Sequence, residues 1–174
     1  MKLYHGGLVE IKAPRIIVGD HIGDFGVGFY TTTSIQQARR FVKTKCDREQ
    51  KTSGVVSIFD VRDDFLQAPD LRIRVFKKAD EDWALFVEAN RRNPNYEHDF
   101  DLIFGPVAND QVYASFALFE SDLIDFAELI SRLKVRKLTD QVLFHTEKAL
   151  SLLKYAGSEV VQCPLKQRRK TSVC

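Results

Sequence analysis

Three short stretches hold side chains that could do chemistry. His5 ends the strand-like run "KLYH", and Gly6 and Gly7 follow at once. An imidazole beside a bare backbone can offer a ring nitrogen and an amide to one ligand. "DFGVGFYTTT", residues 24–33, sets Gly26 and Gly28 ahead of an aromatic, β-branched strand containing Phe29 and Tyr30. Glycine there means a tight turn or a close backbone approach. "TDQVLF", residues 139–144, opens a buried-looking strand on Gln141, whose amide needs a partner. Singly, each stretch has a plain reading. His5 is a surface histidine, the "GVG" run is a turn, and Tyr30, Phe41, Trp83 and Phe86 are packing residues.

Other chemistries find little support. No P-loop, HExxH or GxSxG occurs. The "GVG" run precedes a strand, whereas a dinucleotide fingerprint follows one and opens a helix. His21, His98 and His145 are scattered, with no i, i+4 pair, so no metal site is expected. Cys46, Cys163 and Cys174 form no CxxC pair, which fits a reducing cytoplasm. The acidic pairs at 80–82 and at Glu120 and Asp122, together with Glu147, sit at helix starts, where capping and the helix dipole account for them. A net charge of +2 makes no strong case for nucleic acid, although "KQRRK" at 166–170 and Arg39/Arg40 are local basic patches. There is no apolar signal core and no run of bilayer length.

The elements that must position these residues alternate irregularly. Strands are expected at 2–5, 28–32, 54–61, 71–76, 100–108, 140–145 and 158–163. In 71–76, Leu71, Ile73 and Val75 are expected inward and Arg72 and Arg74 outward. Ser34 and Gln37 form a capping box for the helix "IQQARRFVKTK". Further helices are expected at 80–93, closed by Pro94, at 120–134, and at 147–155 after Thr146. With 174 residues, 44% hydrophobic, and no linker, this reads as one α+β domain over 1–162 and a basic, flexible tail at 163–174.

In order, "LYHG" (3–6), "DFGVGFYTT" (24–32) leading into a helix, and "TDQVLF" (139–144) resemble the ADP-ribosyltransferase superfamily. The likeness is to its diphtheria-toxin-like and poly(ADP-ribose)-polymerase-like branch, marked by His, Tyr and Glu on three strands. Within it, the chain is similar to an uncharacterised bacterial family sharing "LYHG", "DFG.GFY.T", "GPVA.D" and "Q..F.T..AL". The resemblance covers roughly residues 2–155 and implies a split β-sandwich with flanking helices.

The resemblance also implies roles. His5 would hydrogen-bond the adenine-side ribose of NAD, the co-substrate. The Gly6 backbone would bind the nicotinamide carboxamide, which would explain its missing side chain. Tyr30 would stack on the nicotinamide ring, Phe41 would be a second aromatic, and Gly26 and Gly28 would shape the adjoining turn. Gln141 stands where the pattern has Glu. It can hydrogen-bond the ribose 2′-hydroxyl but supplies neither negative charge nor a general base. Single-unit transfer is therefore expected rather than chains, with Glu147 or Asp110 as candidate substitute carboxylates. The implied function is mono-ADP-ribosylation of a protein or nucleic acid, as in bacterial toxins with a partner antitoxin or in phage defence. The alternatives are a module that holds NAD or ADP-ribose without transfer, or a plain interaction domain.

Overall fold

The computed structural model describes residues 1–18, 23–93, 96–108, 110–134 and 138–164, with side chains excepted at 110, 111 and 134. His21, Pro94, Cys174 and the "KQRRK" run lie outside the described residues, as does the side chain of Asp110.

Two sheets form a mixed α+β architecture. In the first, β1 (Lys2–Gly7) pairs antiparallel with β3 (Ser53–Asp60), which pairs antiparallel with β7 (Lys154–Gln162). In the second, the order is β2 (Phe29–Thr31), β6 (Asp140–Phe144), β5 (Leu102–Pro106), β4 (Ile73–Val75). Only β4 and β5 run parallel among these pairs. Among the described residues one backbone pair links the sheets: Tyr4 N–H donates to Thr32 O at 2.9 Å, and Thr32 N–H to Tyr4 O at 3.0 Å.

Period-two alternation divides the strands between cores. Leu3 and Phe59 of the first sheet meet Phe29, Leu102, Val142 and Phe144 of the second. On the second sheet's other face, Ile103 and Leu143 pack with Phe25 and with helices α2 (Glu81–Arg92), α3 (Asp110–Glu120) and α4 (Phe126–Lys134). Helix α1 (Ile35–Glu49) covers the first sheet through Ala38, Val42 and Cys46, a stripe at i, i+4, i+8. The Ser34 side chain caps it by accepting from Gln37 N–H at 3.3 Å. No helix among the described residues is long and apolar enough to cross a membrane.

Several expected boundaries move. β1 runs on through Gly6 and Gly7, because both pair with β3. The expected helix at 120–134 is two segments. Glu120 closes α3, Asp122 just beyond it adopts a left-handed φ of 56°, and Asp125 caps α4 by accepting from Glu128 N–H at 2.8 Å. α5 (Glu147–Leu150) is one turn, since residues from Lys154 onward join β3 instead. Val75, expected inward, is exposed because β4 is an edge strand of three residues. Arg74 lies over the Phe76 ring at 4.9 Å and pairs with Asp82.

Candidate active site

The sheets part immediately beyond the Tyr4–Thr32 pair. Backbone groups alternate sides along a strand, so Gly6 directs its N–H and C=O the same way as Tyr4, away from β3. The antiparallel register carries that edge toward Tyr30, and no described backbone bond closes it there. His5 sits at this fork. Its Nδ1–H donates to Tyr30 O at 2.7 Å, and its ring stacks on Phe29 with centroids 4.4 Å apart. A carbonyl only accepts, so the neutral ring keeps Nε2 as an acceptor. Burial lowers the His5 pKa, the Tyr30 carbonyl opposes this, and the Lys45 charge adds to the lowering. Gly6 lacks a side chain for a packing reason. A Cβ there would stand 2.5 Å from Ala38 O of α1.

Phe29 and Tyr30 face opposite ways, as a strand requires. Phe29 enters the core between the sheets, while Tyr30 packs against the helical face. The Tyr30 hydroxyl is engaged, accepting from Phe25 N–H at 3.1 Å and donating to Gly26 O at 2.7 Å. Burial pushes its pKa well up. The turn itself lies against the phenol, since a Cβ on Gly23 would stand 2.5 Å from the hydroxyl. Gly26 takes a φ of 97° close to Asn90 and His98. Gly28 takes a φ of 153°, where a Cβ would stand 2.5 Å from Phe144 O.

Gln141 lies two residues from Leu143, the partner of Tyr30, and so shares Tyr30's face of the sheet. Its Nε2 donates to Asp24 Oδ2 at 2.9 Å and to Pro106 O at 3.2 Å. Asp24 also accepts from Ala108 N–H at 3.0 Å and from the Tyr113 hydroxyl at 2.9 Å. Burial raises its pKa against the pull of these donors and the Arg91 charge. Sequence reading left this carboxylate inside a turn. Its one signal was the partner that a buried Gln141 demands.

The remaining expected residues are more distant from this group. Glu147 is exposed in α5, beyond the opposite end of β6 from Gln141. Phe41 is 50% exposed on α1, with Lys45 Nζ 5.2 Å from its ring centroid. The Lys45 charge also adds to the lowering of the His5 pKa.

The motifs lie within a stretch matched by one family model, "Protein of unknown function (DUF3990)", over residues 1–155. The chain belongs to this family. No curated protein and no solved structure matches it. The DUF3990 stretch holds His5, Gly6, Tyr30, Asp24 and Gln141, and ends as β7 begins.

Two cavities lie elsewhere on this DUF3990 chain. One of about 230 Å³ is lined by Arg62, Phe65, Leu71 and Lys148. The other, about 510 Å³, lies by Lys78, Asp82 and Ile130. Neither touches His5, Tyr30 or Gln141. No group of three or more His, Cys, Asp or Glu among the described residues could hold a metal ion.

The glycine turn is held from below by two histidines. His98 Nε2–H donates to Phe25 O at 2.9 Å, and His145 Nδ1–H to Val27 O at 2.5 Å, with ring centroids 4.5 Å apart. Burial holds the His98 pKa below 6.5, as it does for His5. Below pH 6.5 the unfolded chain therefore binds more protons at these sites than the native chain, and acidification destabilises. Asp24 acts oppositely, because its native pKa is raised above 3.8. The urea midpoint is expected to fall between pH 7 and about pH 5.5, and to fall less in His98→Gln. An equal fall in both proteins would remove His98 from the effect.

Proposed function

We propose that this chain is an NAD-dependent mono-ADP-ribosyltransferase built on an ADP-ribosyltransferase-like split β-sandwich. The observation that carries the reading is the fork beyond Tyr4–Thr32, where the Gly6 amide and carbonyl face the Tyr30 side with no backbone partner among the described residues. A primary carboxamide needs one acceptor and one donor side by side, and Gly6 supplies both. His5, neutral with Nε2 accepting, suits a ribose hydroxyl. The outward Oε1 of Gln141 suits the 2′-hydroxyl of the other ribose. Phe41 would be the second aromatic, as the resemblance implies.

In the transfer, the bond from ribose C1′ to nicotinamide breaks and its electron pair leaves with nicotinamide. A lone pair of the acceptor forms the new bond to C1′, and the acceptor's proton passes to solvent. Stacking on Tyr30 requires the 23–26 turn to move off the phenol. That breaks two hydrogen bonds, a net cost of about 1–3 kcal/mol, which ligand contacts must exceed. With an amide at position 141, single-unit transfer fits better than chain growth.

A macromolecular acceptor and an antitoxin partner belong to the same proposal and rest on the family resemblance, and a cytoplasmic setting rests on the cysteine spacing. Gln141 also favours a second reading, in which the chain holds NAD or ADP-ribose without transfer. Incubation with adenylate-labelled NAD and cell extract separates the two. The transferase releases nicotinamide and labels an acceptor, and His5→Ala or Tyr30→Ala lowers release about 100-fold or more. Binding without release selects the second reading. A wild-type chain that neither binds NAD nor releases nicotinamide sinks both.

A further inference from the structure

Asp24 and Gln141 form a pair whose chemistry is asymmetric. Asp24 is 5% exposed and Gln141 7%. The groups meeting the Gln141 amide from within are a carboxylate and the Pro106 carbonyl, both acceptors. Only the NH₂ end can face them, so the amide orientation is forced. Both Nε2 hydrogens are used, and among the described residues no donor reaches Oε1. Every hydrogen-bond partner of Asp24 is in turn a donor, as an ionised carboxylate requires. A glutamate at 141 would set two carboxylates about 3 Å apart, and they could not both ionise. The glutamine is therefore matched to the carboxylate behind it.

We infer that Asp24 is a positioning residue that supplies, through the Gln141 amide, the negative charge this site otherwise lacks at position 141. A carboxylate on the N–H side pulls amide electron density toward Oε1 and fixes where that oxygen points. Oε1 then accepts more strongly from a ribose hydroxyl as positive charge develops at C1′. No proton moves to Gln141. This inference rests on the transferase reading above.

The test is the kinetics of nicotinamide release by the full chain. Asp24→Asn is isosteric and is expected to lower kcat about 10- to 100-fold with little change in KM for NAD. The double variant Asp24→Asn with Gln141→Glu moves the carboxylate to position 141, where it also meets the Pro106 carbonyl, and is expected to recover part of that loss. In it the amide at position 24 turns its NH₂ to the carboxylate at position 141 and its oxygen accepts from Tyr113, while the Ala108 N–H, which shares the Oδ2 position with Gln141, loses its acceptor. A double variant no faster than Asp24→Asn overturns the inference, as does an Asp24→Asn chain as fast as wild type. In both of those outcomes the transferase reading stands. No release by the wild-type chain overturns the reading and the inference together.

A pH profile serves if Asp24→Asn fails to fold. The charged or titratable groups facing Asp24 are Arg91 of α2, Tyr113 of α3 and Tyr30 of β2. Tyr113→Phe removes one donor to the carboxylate and should move the acid limb of kcat to higher pH. An unmoved limb overturns the inference.

Discussion

Trp83→Ala is expected to cost about 3–5 kcal/mol of stability, the range for emptying a large aromatic site. The side chain is fully buried among Val87, Phe116, Leu129 and Leu143, with the Phe116 ring centroid at 6.1 Å. Its Nε1–H also donates to Pro106 O at 3.1 Å, at the end of β5. A domain of this size has about 5–15 kcal/mol in all, so the variant sits near the edge of folding. Trp83→Phe keeps most of the burial and loses the hydrogen bond, at about 1 kcal/mol. Pro106 O keeps Gln141 as a donor in that variant. Urea unfolding followed by circular dichroism measures both, since Trp83 is the chain's only tryptophan. A loss below about 1 kcal/mol for Trp83→Ala would mean that α2 does not seat on the second sheet through this residue.

Gly28→Ala is expected to be nearly as damaging. At a φ of 153° an L side chain is strained, which costs about 1–3 kcal/mol. A Cβ would also stand 2.5 Å from Phe144 O and press on the Leu143 side chain. Overpacking of this kind adds about 1–3 kcal/mol. The obstacle is backbone of β6, which cannot swing aside as a side chain can. Gly157→Ala is the control. Its φ is also positive, at 139°, but nothing lies within 4 Å of its Cβ. The control therefore shows the strain alone, and a midpoint shift in Gly28→Ala no larger than in Gly157→Ala would deny the close seating of β2 on β6.

Much of the element order was legible because it rests on local rules. The Ser34 cap and the strands β1, β3, β5 and β6 follow from spacing and propensity. The stretch 110–134 was not. Acidic residues at 120–122 look like the start of a helix. They in fact stand at the end of α3 and just beyond it, and the reversal depends on the left-handed Asp122 and on the Asp125 cap. Val75 was misread because alternation shows which residues share a face of a strand but not whether anything covers that face.

The site divides along the same line. The sequence by itself determined that a histidine followed by two glycines, a tyrosine entered through a glycine turn, and a buried glutamine belong to three separate strands, since each leaves a mark in its own neighbourhood. Only the tertiary structure decided what those residues meet. Gly6 is bare because α1 passes over it, and Gly28 because β6 does. The Gln141 amide turns inward to Asp24, 117 residues away. Hydrogen bonds and close packing act over about 3 Å in space, and no local pattern encodes a partner that far along the chain.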